Sequence, residues 1–192
     1  MSNTSQSSPS SAVRKICALV LVSASVVFEC RAALADTWGV QVAGGTADHH
    51  VQKLDLGGIW NAGLNWWEIA GWQFTLVGEG HVAYWHTDEG NEHSNIVEFG
   101  FTPVFRFIRS AGILRPFIEA GVGIRLLSHP RISDSYTLSS GFQFADMVGI
   151  GAQFGAKQQY QAGYRFQHLS NASIKKPNPG INFNQIYLQY NF

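Results

Sequence analysis

Charge is scarce in this chain and favours neither sign. Asp, Glu, Lys and Arg make up 14% of its 192 residues, thirteen basic against thirteen acidic, where ordinary soluble domains carry about 25%. Without an excess of Lys and Arg there is nothing to neutralise a phosphate backbone, so nucleic acid is excluded as a partner held by bulk charge. Long hydrophobic runs are missing as well: beyond residue 30 no stretch approaches the ~18 uncharged apolar residues of a spanning helix. Cysteine is confined to Cys17 and Cys30. Abundant instead are glycine, with 20 residues, and aromatics, with 13 Phe, six Trp and six Tyr. Such a composition at a mean hydropathy of −0.03 describes a β protein, either a soluble sandwich or a barrel with lipid outside.

The N-terminal segment narrows the choice. Residues 1–15 are polar and end in Arg14-Lys15, residues 16–28 are apolar, and Ala33-Leu34-Ala35 supplies a small-residue cleavage site. This is the layout of a secretory signal peptide cut after Ala35, and the apolar run is too short for a membrane anchor. Glu29 ahead of Cys30 is a poor match to a lipoprotein site. The expected organisation is a leader over 1–35 and a single barrel domain over 36–192. Both cysteines fall in the leader, which excludes disulfides, thiol catalysis and Cys-based zinc sites from the exported part.

The exported part is a succession of alternating runs. Odd positions from 95 to 107 read Asn, Val, Phe, Phe, Pro, Phe, Phe; even positions from 114 to 126 read Leu, Pro, Ile, Ala, Val, Ile, Leu. From 136 to 154 the apolar face is expected at Tyr136, Leu138, Phe142, Phe144, Val148, Ile150 and Phe154. Period 2 held over such lengths means strands, and the strands are longer than the five or six residues usual in a sandwich. One face is apolar while the other mixes Gly, Gln, Arg and Glu, as in a small barrel with lipid outside and a packed polar interior. The fold expected is all-β: an eight-stranded antiparallel transmembrane barrel with strands near 37–45, 50–61, 71–86, 94–109, 113–128, 136–155, 158–170 and 181–192. Both termini would face the periplasm, and the segments near 45–50, 87–93, 129–135 and 171–180 the exterior. The aromatic ending Tyr187-Leu188-Gln189-Tyr190-Asn191-Phe192 is similar to the assembly signal of bacterial outer-membrane barrels.

The last hairpin breaks the apolar pattern. The outward face of the seventh strand runs Tyr160, Ala162, Tyr164, Phe166 and then His168 and Ser170; that of the eighth, read from its end, runs Phe192, Tyr190, Leu188, Ile186, Asn184, Asn182. With the hairpin symmetric about Lys175, His168 lies opposite Asn182, within the ~5 Å reach of cross-strand neighbours. A His and a Ser at i, i+2 share one face, where imidazole and hydroxyl meet as base and nucleophile do. Asn182 is ten residues from Phe192, roughly 26 Å up at ~3.4 Å rise and ~40° tilt, near the outer edge of the apolar band. Two readings stand at this point: interfacial polar residues where the barrel leaves the membrane, or a site facing lipid.

The wider motif is more specific. Tyr164-Arg165-Phe166-Gln167-His168-Leu169-Ser170-Asn171-Ala172, followed by Lys175-Lys176-Pro177-Asn178-Pro179-Gly180, resembles the lipid A 3-O-deacylase family (PagL type), and so does Phe117-Ile118-Glu119-Ala120-Gly121-Val122-Gly123. The resemblance spans the exported part and is strongest over 164–182. It implies an outer-membrane barrel with a serine-esterase triad on its outer surface: Ser170 as nucleophile, His168 as general base, and Asn171 near the oxyanion with the backbone amides after it. It further implies hydrolysis of the 3-O-linked acyl ester of lipid A in lipopolysaccharide, with release of a 3-hydroxy fatty acid and without a cofactor. It leaves open a homodimer.

One position departs from the family pattern. The acidic triad member falls fourteen residues after the His, and here that residue is Asn182; no Asp or Glu occurs between 147 and 192. An Asn oxygen can accept the imidazole N–H but cannot balance the imidazolium, so the chain is slow, draws a carboxylate from another strand, or is inactive. The alternatives from other classes are a non-catalytic structural or adhesion barrel, separated from the enzyme by whether His168 and Ser170 are hydrogen-bonded, and an acyltransferase site in the lumen, for which no inward catalytic group is evident. His49, His50, His81, His86 and His93 match no metal-ligand spacing and are expected at solvated loops and strand ends. Glu79, Glu98, Glu119, Arg106, Arg115 and Arg125 are expected as a charge network filling the lumen. Lys175 and Lys176 would face the phosphates of an anionic lipid or simply solvent.

Overall fold

Eight strands run in chain order around a closed barrel in the computed structural model, which describes residues 37–192 apart from His93. The expected leader lies outside these residues. The strands are β1 (Thr37–Ala47), β2 (Gln52–Ile69), β3 (Trp72–His86), β4 (Ile96–Arg109), β5 (Arg115–Leu127), β6 (Phe142–Phe154), β7 (Tyr160–Ser170) and β8 (Ile181–Asn191). Each pairs antiparallel with its neighbours, and β1 closes on β8 from Gly39 opposite Asn191 to Ala47 opposite Phe183. Short turns join strands at the end that holds the chain termini. At the other end lie four loops: L1 (48–51), L2 (87–95), L3 (128–141) and L4 (171–180).

Alternation decides which side each residue faces. Val40, Leu56, Val82, Phe99, Ile118, Val122, Val148, Ile150, Ile186 and Leu188 stand exposed on the outer wall, a continuous apolar surface that only lipid would cover. Trp38, Tyr160, Tyr190 and Phe192 are exposed near the terminal end, where an aromatic girdle meets the interface.

The interior is layered. In its middle Arg165 reaches Glu79 at 2.7 Å and Glu119 at 2.6 Å, and Arg106 reaches the same two acids at 2.9 and 2.7 Å. Above them Lys53 contacts Glu98 at 2.9 Å and Arg125 contacts Glu98 at 2.7 Å. Gly100 makes room for that arginine, since a Cβ there would lie 2.5 Å from Arg125 Cδ. Nearer the loops the lumen turns apolar: Trp85, Ile96, Leu127, Leu169, Ile181 and Phe183 pack with Ile132 and Leu138, which fold in from L3. This apolar plug is not expected from the sequence, which reads as a uniformly polar interior.

Four further expectations are corrected. β2 extends to Ile69 instead of ending near 61, because register shifts between Asn61 and Asn65 and between Trp66 and Ile69 interrupt its period. β6 begins at Phe142, not 136: Tyr136 and Leu138 belong to L3, and Asp146 takes the outward position between Phe144 and Val148. Arg115 sits at the terminal rim, donating to the Arg109 carbonyl at 2.6 Å, outside the lumen network. His81, expected at a solvated site, is buried in the lumen between Asp55 at 2.9 Å and Glu79 at 3.4 Å.

Because Glu79 serves Arg106, Arg165 and His81 at once, Glu79→Ala would leave two buried arginines sharing Glu119 alone and His81 with Asp55 alone. A loss of about 3–5 kcal/mol is expected, read as a lower urea midpoint of the refolded barrel in detergent micelles.

Candidate active site

The seventh strand carries its outward parity unbroken through Tyr160, Tyr164 and Phe166 to His168 and Ser170, the last two half-buried at the loop rim. Inward neighbours Gln167 and Leu169 are buried and hold the strand's register against the lumen. Across the hairpin His168 pairs with Asn182, as its symmetry about Lys175 implies. The side chains meet: His168 Nδ1 lies 2.7 Å from Asn182 Oδ1. An amide oxygen only accepts, so Nδ1 carries the proton and Nε2 is left with its lone pair. Ser170 has no hydrogen bond to His168 among the described residues, so the contact expected to separate an enzyme from a structural barrel is not formed here; catalytic hydrogen bonds commonly tighten only with substrate in place.

Asn182 has a second partner. Its Nδ2 donates to Asp48 Oδ2 at 3.1 Å. Asp48 opens L1, one step beyond the β1–β8 ladder whose last pair is Ala47 with Phe183. A carboxylate thus stands next to the position where the resemblance implies an acid and the sequence supplies an amide.

L4 is built around Asn171, which is fully buried. Its Nδ2 donates to the carbonyls of Leu138 at 3.3 Å and Lys175 at 2.9 Å, and its backbone N–H to Asn178 Oδ1 at 2.9 Å. Both kinds of donor on Asn171 are therefore committed to shaping the loop. The next two residues, Ala172 and Ser173, have φ of 50° and 62°, and their N–H groups have no partner among the described residues.

At the end of L4, Gly180 presses on the imidazole. Its φ is +68°, and a Cβ there would lie 2.7 Å from His168 Cε1 and 3.2 Å from Nε2. Only glycine combines that conformation with that approach. The Tyr136 hydroxyl donates to the Gly180 carbonyl, and His49 stacks on the Tyr136 ring at 3.6 Å between centroids. His49 Nδ1 in turn lies 3.2 Å from Glu89. Burial first, then the Asp48 and Glu89 carboxylates, raise the Tyr136 pKa above its ordinary value, which keeps the phenol a donor. All four loops converge on His168 in this way.

Below the imidazole an outward groove of about 610 Å³ runs over β4–β7, lined by Phe105, Ala120, Val122, Val148, Phe166 and His168, with Asp146 in its wall. Small residues at Ala120 and Gly121 make the depression, and the lining is almost wholly apolar. Asp146 is the β6 cross-strand partner of His168.

The structure brings together His168, Ser170 and Asn182 and places Asn171 in the loop beside them. Asp48, Tyr136, Gly180 and Asp146 are not singled out by the sequence. Gly180 is within reach as the last residue of the Lys-x-Pro-Asn-x-Gly stretch. Asp48 is not, since it reaches Asn182 only through closure of the barrel. Of the remaining histidines, His86 lies in contact with Asn95 at 2.8 Å, and His93 is outside the described residues.

A closed eight-stranded barrel with an apolar exterior, carrying a polar His–Ser–Asn cluster at its outer rim, defines an outer-membrane protein. The family model of lipid A 3-O-deacylase (PagL) matches residues 53–191. The chain is 33% identical over 162 residues to a lipid A deacylase PagL of Pseudomonas aeruginosa, covering 84% of this chain and 89% of that one. It is 31% identical over 160 residues to the lipid A deacylase PagL of Bordetella bronchiseptica, covering 80% and 83%. The crystal structure of the outer membrane enzyme PagL superposes with a TM-score of 0.72 at 29% identity, over 79% of this chain and 98% of that one. The chain belongs to the lipid A 3-O-deacylase (PagL) family.

Gly180→Ala adds a methyl against the imidazole at a strained φ. If His168 is the base that the resemblance implies, a misplacement of about 1 Å there costs on the order of 10²-fold in rate. The variant is expected to fold, as judged by heat-dependent gel mobility, while its turnover falls by at least tenfold.

Proposed function

We propose that this chain hydrolyses the 3-O-linked acyl ester of lipid A, the activity for which its family is named, with Ser170, His168 and Asn182 as the working residues. The observation that carries the reading is the His168–Asn182 hydrogen bond on the lipid-facing wall, beside an apolar groove. A His, a Ser and an Asn turned outward together at the edge of hydrocarbon are costly unless used.

The chemistry follows from the tautomer. His168 Nε2 takes the proton of the Ser170 hydroxyl as its Oγ attacks the ester carbonyl carbon. The N–H groups of Ala172 and Ser173, two and three residues after the nucleophile and without a partner among the described residues, are the donors for the oxyanion; Asn171 contributes by holding that stretch of L4 in shape. Collapse of the tetrahedral intermediate breaks the bond to the sugar oxygen, which receives the proton from His168. Water, deprotonated by His168, then attacks the acyl-serine and releases the 3-hydroxy fatty acid. No step calls for a metal or an organic cofactor.

Substrate would arrive sideways from the leaflet, since Trp85, Phe183 and the residues from L3 fill the lumen beneath the loops. The groove is sized for an acyl chain, each docked methylene contributing up to about 0.8 kcal/mol. Lys175 and Lys176 are exposed in L4, placed to meet phosphates of the glucosamine disaccharide. All the working groups come from one chain, so a homodimer is not required. The two loop lysines are too few to make a nucleic-acid surface.

The test is mass spectrometry of lipid A from cells expressing the native chain or Ser170→Ala. One hydroxyacyl mass should be lost with the native chain alone; identical spectra would leave a structural or adhesion barrel instead.

A second expectation concerns the groove. Phe166→Arg sets a charge in the apolar wall just below His168. Turnover of lipid A should fall by more than tenfold while hydrolysis of a short soluble ester stays within about twofold to threefold, because acyl docking is lost and the nucleophile is not. Equal losses on both substrates would mean that the chain docks elsewhere.

A further inference from the structure

Deacylation by the proposed route meets a chemical problem at position 182. An amide has two faces, an oxygen that accepts and an NH₂ that donates. If the NH₂ of Asn182 turned to His168, the imidazole would have to accept at Nδ1 and carry its proton on Nε2. In that tautomer it could not take the proton of Ser170. This wrong-tautomer state is what makes an Asp-to-Asn change cost about 10⁴ in serine proteases. A chain with Asn at this position needs something that makes one amide orientation decisively better than the other.

We propose, resting on that deacylase reading, that Asp48 is the positioning residue that does this, locking the Asn182 amide so that His168 presents its Nε2 lone pair to Ser170. Asp48 Oδ2 accepts from Asn182 Nδ2 at 3.1 Å, and Asn182 Oδ1 faces His168 Nδ1 at 2.7 Å. A carboxylate accepts and does not donate, so a flipped amide would set two oxygens against each other and lose the Asp48 bond, keeping only a bond to the wrong imidazole tautomer. The three groups form a directional chain from Asp48 to Asn182 to His168, in which the negative end also favours the imidazolium that forms during attack.

The backbone is arranged for this contact. L1 turns within four residues, with His49 and His50 at φ of 61° and 55° and the Val51 N–H bonded to the Asp48 carbonyl at 3.4 Å. The β1–β8 ladder brings that turn alongside β8. The Asp48 carboxylate has no other hydrogen-bond partner among the described residues, so the contact is not incidental to another structural role. On the opposite flank of His168, Asp146 makes no hydrogen bond to the imidazole among the described residues. Of the two carboxylates near the base, only Asp48 is linked to its Nδ1 side.

The experiment is an isosteric exchange. Purified full-length protein in detergent is assayed on lipid A in mixed micelles as the native chain, Asp48→Asn, Asn182→Asp, and the double variant. Asp48→Asn keeps shape but offers the amide a partner in either orientation. It should lower kcat by at least about tenfold, against the 10⁴ of a full tautomer error, with KM within twofold. Asn182→Asp alone places two carboxylates in contact and should gain little. The double variant moves the charge one residue inward with every hydrogen bond retained, and should recover at least the native kcat. A loop that merely needed Asp48 for its fold would show the same loss in both backgrounds. Native kcat in Asp48→Asn, or a loss that adding Asn182→Asp does not recover, overturns the proposal. Asp48→Ser, expected to lose kcat in the same way, serves if the Asn variant does not fold. Ser170→Ala is run in parallel: full activity there overturns the nucleophile assignment and the lock with it, whereas an inactive Ser170→Ala beside a fully active Asp48→Asn overturns the lock alone.

Discussion

Backbone N–H and C=O groups facing hydrocarbon have no water to bond, and an open sheet edge in lipid would leave a row of them unpaired. Closure of β1 on β8 removes that edge, and the other features of the molecule depend on it. A closed barrel of eight strands leaves an interior only wide enough for side chains. The sequence fills it with paired acids and bases in the middle and an apolar plug under the loops. With the lumen occupied, chemistry on a lipid has to be done outside, at the rim, where two strands can carry polar side chains beyond the hydrocarbon. The same closure sets L1 beside L4 and so brings a carboxylate to Asn182 from the far end of the sequence.

The rim site is held from above. Strands alone give His168 and Asn182 their register, but a histidine at the edge of a bilayer has a polar and an apolar direction to choose from. Gly180 closes the space over its ring, Tyr136 fixes Gly180, and His49 and Glu89 fix Tyr136. The apolar plug has a part in this too. Leu138 anchors L3 in the lumen, which sets Tyr136 at the right height, and the Leu138 carbonyl takes a hydrogen bond from Asn171 at the base of L4. Core packing and site geometry are therefore one problem at this end of the barrel, although they lie on opposite faces of the sheet.

How much of this is legible in the sequence depends on range. The number of strands, their outward faces and the His168–Asn182 pairing all come from period 2 and from one hairpin. Local irregularity defeats the same method: Trp67 with φ of 40° and the shifts in β2 hide its second half, and Ser139 with φ of 66° ends an alternation that by period alone starts at Tyr136. Reading that stretch as one strand also passes over Asp146, an acid among apolar neighbours. Lumen chemistry is half legible. Glutamates and arginines of one parity are expected inside, but Lys53, Asp55, His81 and Arg165 are missed, and Arg115 is misplaced because parity says nothing of height. Asp48 is invisible for a different reason: its partner lies 134 positions away, and only the topology of closure connects them. Sequence reasoning offers a carboxylate from another strand as one of three outcomes, without its source.

The position of that carboxylate bears on what a triad acid is for. An acid in direct contact with the base does two things, fixing the tautomer and lowering the energy of the imidazolium, and the two cannot be separated when one group performs both. Here the direct partner of His168 is neutral, and the charge sits one hydrogen bond further out at an exposed loop. Tautomer control depends on hydrogen-bond direction and passes through the amide undiminished, because a carboxylate never donates. Charge compensation depends on distance and on the surrounding dielectric, and it weakens at a more distant, solvent-facing group. On the proposed reading, an Asn at position 182 with an Asp behind it keeps the first function in full and the second in part. That is a workable arrangement for a base at a membrane surface, where a carboxylate placed directly against the ring would itself have to be held at the edge of hydrocarbon at a cost of several kcal/mol.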